Sequence, residues 1–228
     1  MQPKSIQNII HDLSFQKRKK VAPKKERIIM TAQLKQLFYK EAIKYYRSKN
    51  RNFVVDDYNK SFLDIFCKYF AQDPAFETQH NAELRKGLFV YGSNGTGKTS
   101  CFEIMQNVSK TYNISQVWVP IVYTHKVVEL FNLSETGKTD YVIQNYSKGK
   151  CMFDDLGTEK EASNYGKENL FERIMELRYN QYLDKGTKTF ITSNLSFKEI
   201  KDKYGKRIED RFYQMFNVLY LGGESRRF

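Results

Sequence analysis

The octapeptide Gly92-Ser93-Asn94-Gly95-Thr96-Gly97-Lys98-Thr99 is the feature that most constrains the fold of this chain. It fits the pattern G-x-x-x-x-G-K-[ST], a loop whose backbone N–H groups surround phosphate. The apolar segment 88–91 before it reads as a short strand, and residues 100–112 after it read as a helix. A loop that leads from a strand into a helix N-terminus forms an anion site. The sequence therefore predicts a phosphate-binding loop rather than a chance glycine-rich turn.

The pattern also assigns roles within the loop. Lys98 is expected to reach the β- and γ-phosphates, and the Thr99 hydroxyl is expected to bind Mg²⁺. The glycines let the backbone approach phosphate closely. The residues expected to bind nucleotide in this segment are Gly92, Asn94, Gly95, Thr96, Gly97, Lys98, Thr99 and Ser100.

Strand and helix patterns alternate after residue 86, which predicts an α/β domain with a mostly parallel five-stranded sheet covered on both faces. Strands are predicted over 88–91, 116–122, 150–154, 188–193 and 217–221. Helices are predicted over 98–112, 124–133, 138–147, 166–184, 196–203 and 206–214. Upstream, apolar stripes predict helices over 31–48 and 58–70, followed by a loop over 74–86.

Polar side chains end two of the predicted strands. Asp154 and Asp155 follow an apolar run, and this pair is suited to bind Mg²⁺ through Asp154 and to orient the attacking water through Asp155. Asn194 ends the next strand, where it is expected to contact the γ-phosphate or the water. Strand C-termini meet at the ligand crevice of a parallel sheet, so these residues are expected to converge.

The net charge of +12 is concentrated near the N-terminus. Residues 1–51 contain 14 Lys/Arg and 3 Asp/Glu, whereas residues 52–228 contain 24 and 23. This asymmetry favours contact with nucleic acid by a basic N-terminal region, although a compositional bias towards lysine is the alternative. The expected organisation is a basic arm and helix over 1–51 followed by a nucleotide-binding domain over 52–228.

The remaining composition indicates a cytoplasmic globular protein. The sequence has no apolar run near 18 residues and no signal-peptide pattern, so no membrane span is expected. The three cysteines are isolated and are expected to be reduced thiols rather than metal ligands.

Taken together, five segments in order resemble the AAA+ ATPases, and within them the DnaC/IstB-like branch of helicase loaders and transposition ATPases. GLFVYGSNGTGKT is similar to that branch's Walker A segment, CMFDDLGTE to its Walker B strand, and TFITSN to its sensor 1. GKRIEDRF is similar to its arginine-finger helix and GESRRF to its closing segment. The resemblance covers roughly residues 52–228.

The resemblance implies a three-layer AAA+ type P-loop domain that binds ATP and Mg²⁺, with Lys98, Asp155, Asn194 and Arg211 in catalysis. It implies that Arg211 reaches the ATP of a neighbouring subunit in an oligomer. Arg227 matches the arginine that senses nucleotide within its own subunit, although Arg226 beside it leaves the choice open. Because the sequence ends at Phe228, no helical lid is expected after the last strand. The implied partners are DNA, single-stranded or duplex, and either a replicative helicase or a transposase.

Other functions share part of this pattern. A small-molecule or nucleotide kinase would need the phosphate-binding loop, but not Asp154 and Asp155 followed by Asn194, nor arginines in the last helix. A GTPase is disfavoured because no N-K-x-D segment follows the loop. A protein that binds ATP without appreciable hydrolysis would have the same sequence features, and helicase loading and transposition are not separated by them.

Overall fold

The computed structural model describes residues 29–134, 139–159, 162–163, 167–168 and 170–227. The basic run over 16–27 and the terminal Phe228 lie outside the described residues. The helices are α1 (Thr31–Arg47), α2 (Lys60–Ala71), α3 (Ala75–His80), α4 (Lys98–Tyr112), α5 (Thr124–Leu133), α6 (Thr139–Tyr146), α7 (Leu170–Lys185), α8 (Phe197–Tyr204) and α9 (Lys206–Met215). The strands are β1 (Gly87–Tyr91), β2 (Ile121–Tyr123), β3 (Cys151–Leu156), β4 (Ala162–Ser163), β5 (Lys167–Glu168), β6 (Thr189–Ser193) and β7 (Phe216–Tyr220).

Within the described residues the main sheet has five strands, all parallel, in the order β2-β3-β6-β1-β7. The short strands β4 and β5 form a separate antiparallel pair. In the main sheet β6 lies between β1 and β3, so the carboxyl ends of these three strands are adjacent. The predicted α/β sheet is confirmed, and this order brings the phosphate-binding loop next to the polar ends of β3 and β6.

Alternating side chains of the strands face two separate cores. Leu88 and Val90 of β1 pack with helices α1 to α4, whereas Phe89 packs with helices α5 to α9. Met152 and Phe153 of β3 divide in the same way. This alternation follows from the two-residue period of a strand, and it produces three layers with helices on both faces of the sheet.

Helix α1 packs into the same core as the P-loop helix α4. Its residues Leu34, Phe38, Ala42 and Tyr46 are buried at a spacing of four, and they join the cluster that contains Phe102 of α4. The described part of the basic N-terminal region is therefore integrated with the α/β fold. The division of the chain at residue 51 stays a prediction. Within the described residues, 29–51 do not form a core of their own, since the buried side chains of α1 belong to the cluster that also includes α2, α3 and α4.

Several predictions differ locally from the structure, and two of them concern the type of element. The segment predicted as a strand over 116–122 begins within a 3-10 turn, Ser115–Val117, and strand pairing starts only at β2. Pro120 accounts for the short strand, because it has no N–H to donate to a ladder; its carbonyl accepts from Met152 N at 2.8 Å. The predicted loop over 74–86 contains α3, which begins directly after Pro74, a residue favoured at helix starts. Across the described ranges, no helix combines the length and apolarity needed to cross a bilayer.

Candidate phosphate-binding site

The loop between β1 and α4 can only be built with glycine at its key positions. Gly95 and Gly97 have φ angles of 83° and 101°, in the region that disfavours other residues. A Cβ atom on Gly92 would lie 2.1 Å from the Leu221 carbonyl oxygen, and one on Gly95 would lie 2.3 Å from Ser225 Oγ. The C-terminal segment 221–227 therefore packs directly against the loop, and the Arg226 backbone N–H donates to the Gly95 carbonyl oxygen at 2.9 Å.

Lys98 fills the concave side of the loop. Its Nζ donates to the carbonyl oxygens of Gly92 and Ser93 at 2.7 and 2.9 Å, and to Asn194 Oδ1 at 2.8 Å. The residue is 5% exposed, and this burial lowers the pKa of Lys98, with Asp155 and Asp154 acting in the opposite direction. The ammonium group thus makes three hydrogen bonds to oxygen atoms, and one of these belongs to Asn194, the residue predicted from the end of β6.

Thr99 and Asp154 are in direct contact. The Thr99 hydroxyl donates to Asp154 Oδ1 at 2.7 Å, and the Thr192 hydroxyl donates to the same oxygen at 2.6 Å. Burial raises the pKa of Asp154, while the hydrogen bonds from Thr192 and Thr99 act to lower it. Thr99, the second residue of α4, and Asp154 at the acidic end of β3 therefore form one oxygen-rich corner.

Asp155 is displaced from its neighbour by an irregularity in β3. The pairing of β3 with β6 shifts between Phe153 and Leu156, and Asp155 has a φ of 57°. Its backbone N donates to Thr192 Oγ1 at 3.0 Å, which fixes this left-handed conformation. Such bulges redirect side chains next to active sites. Here the bulge allows two consecutive aspartates in one strand to line the same cavity.

A cavity of about 320 Å³ brings the predicted chemistry together. Its lining includes Asn94, Gly95, Gly97, Lys98, Thr99, Ser100, Asp154, Asp155, Asn194 and Arg227. Gly92 contributes through its carbonyl oxygen, and Thr96, which is 2% exposed, donates from Oγ1 to Ser93 O at 3.0 Å and so braces the loop. Of the residues proposed from the sequence, Arg211 is placed elsewhere.

A second cavity of about 520 Å³ adjoins the first, and both are lined by Tyr46, Arg51, Gly97 and Arg226. Its apolar walls are Phe53, Val54, Leu63, Ile104 and Leu221, and its amide side chains are Asn50, Asn52 and Asn59. Both volumes lie in the range of small-molecule sites, about 300–1,000 Å³. A flat apolar group with polar edges fits the larger cavity, next to an anion in the smaller one.

The two adjacent arginines near the C-terminus face different surroundings. Arg226 pairs with Asp56, with Nη1 to Oδ2 at 2.8 Å and Nη2 to Oδ1 at 3.1 Å. Both arginines line the smaller cavity, but Arg227 has no such carboxylate partner among the described contacts, and its charge acts to lower the pKa of Lys98. This geometry favours Arg227 as the arginine directed at phosphate.

Arg211 lies on α9, outside both cavities. Its Nη1 is 2.7 Å from Glu176 Oε1, without the alignment of a hydrogen bond, and its guanidinium lies 5.3 Å from the centre of the Tyr179 ring. Arg207 shares the same carboxylate oxygen at 3.2 Å. Arg211 therefore does not reach the phosphate-binding loop of its own chain. This position is compatible with the expected action on a neighbouring subunit.

Several residues of the site were not identified from the sequence. Thr192 holds both aspartates, and Thr124 donates to the Asp154 carbonyl oxygen at 3.0 Å from the start of α5. Tyr45, Lys49 and Glu103 also line the smaller cavity. Glu103 follows Thr99 by about one helical turn, and this spacing could have indicated that Glu103 lies near the site. No local pattern in α1 indicates that this helix borders the site.

No protein-family model and no curated protein matches this chain. Solved structures do share its fold. The structure of DnaI aligns with 74% of this chain and 87% of its own length at 21% identity and a TM-score of 0.51. A proposed primosome component from Streptococcus pyogenes serotype M3 aligns with 83% and 97% of the two chains at 16% identity and a TM-score of 0.52.

AMPPCP-bound DnaA from Aquifex aeolicus aligns with 77% of this chain and 50% of its own length, at 18% identity and a TM-score of 0.51. At these identities the likeness concerns the fold alone. The fold that the resemblance implied is thereby confirmed, and the chain shares it with DnaI and DnaA.

Proposed function

We propose that this chain is a Mg²⁺-dependent ATPase that acts in DNA replication as a helicase-loader-like protein. The observation that carries the proposal is the smaller cavity, where Lys98, Thr99, Asp154, Asp155 and Asn194 converge from three different elements. Phosphoryl transfer needs a cation on the phosphates, oxygen ligands for a metal and a group that orients water. This cavity contains one candidate for each.

Nucleotide binding rearranges the hydrogen bonds of Lys98. In the structure, the ammonium group donates to the carbonyl oxygens of Gly92 and Ser93 and to the amide oxygen of Asn194. A phosphate that takes over these donors releases Asn194, whose amide then faces the γ-phosphate and the water. Asp155, at the irregular end of β3, is the residue we assign to orient that water.

The residues present fit a magnesium ion. Thr99 Oγ1 and Asp154 Oδ1 are hard oxygen donors 2.7 Å apart, of the kind that Mg²⁺ prefers. In the described ranges no three His, Cys, Asp or Glu side chains are grouped as a metal site, so phosphate and water oxygens would complete the coordination. When bound, Mg²⁺ would neutralise charge that develops on the phosphates.

The larger cavity is the place for the base. The backbone of Val54 accepts from Asn59 Nδ2 at 2.8 Å, so the segment before α2 is fixed where it borders this cavity. Val54 lines the cavity, whereas its neighbour Val55 and Tyr58 do not. We assign adenine to the apolar walls between Phe53 and Leu221.

The replication role rests on the fold neighbours and on charge. DnaI and a proposed primosome component share the fold, and DnaA shares it with the ATP analogue AMPPCP bound. The exposed face of α1 carries Lys40, Lys44 and Arg47, continuous in sequence with the basic residues before it. We assign nucleic-acid contact to this region, and oligomer-dependent completion of the site to Arg211 from a neighbouring subunit.

The test is the rate of ATP hydrolysis at fixed moderate salt, measured alone, with single-stranded DNA and with duplex DNA. We expect hydrolysis that single-stranded DNA stimulates and that Lys98→Ala abolishes. Stimulation by duplex DNA alone would instead support the alternative, an IstB-like transposition ATPase. Transfer of phosphate to a small molecule would support a kinase and contradict both.

A further inference from the structure

Four polar side chains connect the C-terminal end of α1 to the first turns of α4 in the wall of the smaller cavity. The Tyr45 hydroxyl donates to Glu103 Oε2 and accepts from Lys49 Nζ. Lys49 Nζ is 3.9 Å from the same Glu103 oxygen, and the Tyr45 hydroxyl is 3.2 Å from Ser100 Oγ. All four residues line the cavity together with Thr99.

Lys49 differs from Lys98 in how it is held. The Lys49 side chain is 47% exposed and follows the end of α1, so its ammonium group can change partners without movement of the core. Its present partners are a phenol and a carboxylate that is 29% exposed. Burial, reinforced by a hydrogen bond to Glu103, raises the pKa of Tyr45, so the phenol stays a neutral donor.

A polyphosphate in this cavity would change the balance of charge around Lys49. Glu103 carries one negative charge, shared between Tyr45 and Lys49, whereas a bound triphosphate carries several. Glu103, Thr99 and Asp154 line the same cavity, so the Glu103 carboxylate borders the space where the phosphates would be. A flexible ammonium group between one carboxylate and a more highly charged anion is drawn to the latter.

We propose that Lys49 is a second phosphate-binding cation of this site, held by Tyr45 and Glu103 in the free protein and transferred to the polyphosphate when nucleotide binds. This inference rests on the proposed nucleotide-binding function. The C-terminal end of α1 then forms part of the phosphate site. Nucleotide binding would therefore change the contacts of the region that we assign to nucleic acid.

The experiment measures the binding of ATP, ADP and AMP to the full chain by displacement of a fluorescent ATP analogue, without nucleic acid and with excess Mg²⁺. Lys49→Met is expected to raise the Kd for ATP roughly fivefold, with a smaller effect on ADP and none on AMP. Lys185→Met is the matched control, because Lys185 is exposed at the end of α7 and lines neither cavity. It is expected to bind all three nucleotides as the parent does.

Glu103→Gln provides a test in the opposite direction, since it removes the competing carboxylate. It is expected to lower the Kd for ATP roughly threefold, and Lys49→Met is expected to cost more in this background than alone. An unchanged Kd for ATP in Lys49→Met, or an equal loss for ATP and AMP, would overturn the inference. Lys98→Ala in the same assay separates the two claims: if it still binds ATP, the proposed function fails, and if it does not, only the role of Lys49 is at stake.

Discussion

Arg226 and Asp56, 170 positions apart in the sequence, are joined by two contacts of 2.8 and 3.1 Å between the guanidinium and the carboxylate. This pair fixes the C-terminal segment 221–227 to the segment before α2, across the phosphate-binding loop. It also distinguishes two neighbouring arginines: both line the smaller cavity, but Arg226 is engaged by Asp56. For this reason we propose Arg227, rather than Arg226, as the arginine that binds phosphate.

Asp56→Asn is expected to lower the free energy of unfolding by about 1 kcal/mol at neutral pH. The reason is that the charged Arg226 guanidinium then contacts a neutral amide instead of a carboxylate, at a partly exposed site. The hydrogen bond from Arg226 holds the pKa of Asp56 below its usual value of 3.8. The ion pair therefore stabilises the protein above about pH 4 and is lost as the pH falls through the lowered pKa. Urea denaturation of parent and variant should show a difference that shrinks on acidification, and a difference independent of pH would contradict this account.

Asp155→Asn is expected to separate binding from hydrolysis. Lys98 and the Thr99–Asp154 corner are left intact, so the Kd for ATP should stay within about twofold, while turnover falls by at least about 100-fold because the water loses its orienting carboxylate. Nucleotide binding and phosphate release are measured on the same preparation. Turnover near that of the parent would remove Asp155 from the proposed mechanism.

Arg211→Ala is expected to retain ATP binding and lose oligomer-dependent hydrolysis, because Arg211 lies outside the cavities of its own chain. Mixing this variant with Asp155→Asn tests action between subunits. Each variant alone should be inactive, and mixed assemblies should contain sites with an intact Asp155 facing an intact Arg211. Phosphate release restored by mixing supports the assignment, while its absence in confirmed mixed oligomers argues against it.

Arg178→Lys is expected to reduce the free energy of unfolding by about 2–4 kcal/mol, since buried acceptors lose their donors. Arg178 is 1% exposed, and its guanidinium binds the carbonyl oxygens of Tyr146 and Gly149 and the Thr189 hydroxyl at 2.7 to 2.8 Å. A single ammonium cannot satisfy this planar arrangement. Arg173→Lys, at an exposed position on the same helix, serves as the control and should stay within about 0.5 kcal/mol in equilibrium urea unfolding.

The elements with strong local signals were predicted from the sequence. The bounds predicted for α4 and α5 agree with the structure, because a glycine-rich loop and a clear apolar period define where these helices begin. The strand before α5 was predicted too long, since Pro120 and a 3-10 turn interrupt it. Helix α7 begins at Leu170 rather than 166, and the strand β5 occupies residues 167–168. An apolar pattern reports burial, but it does not report which backbone donors have partners.

The sequence by itself determined the phosphate-binding loop, the alternation of strands and helices, and the acidic and amide ends of β3 and β6, because each depends on residues close together in the chain. Only the tertiary structure decided the rest. The order of strands brings Asn194 into hydrogen-bond contact with Lys98. The contact with Asp56 engages Arg226 but not Arg227. The packing of α1 brings Lys49 to the smaller cavity. These relationships join residues 96 to 170 positions apart or depend on how one helix packs on another, so no local pattern encodes them.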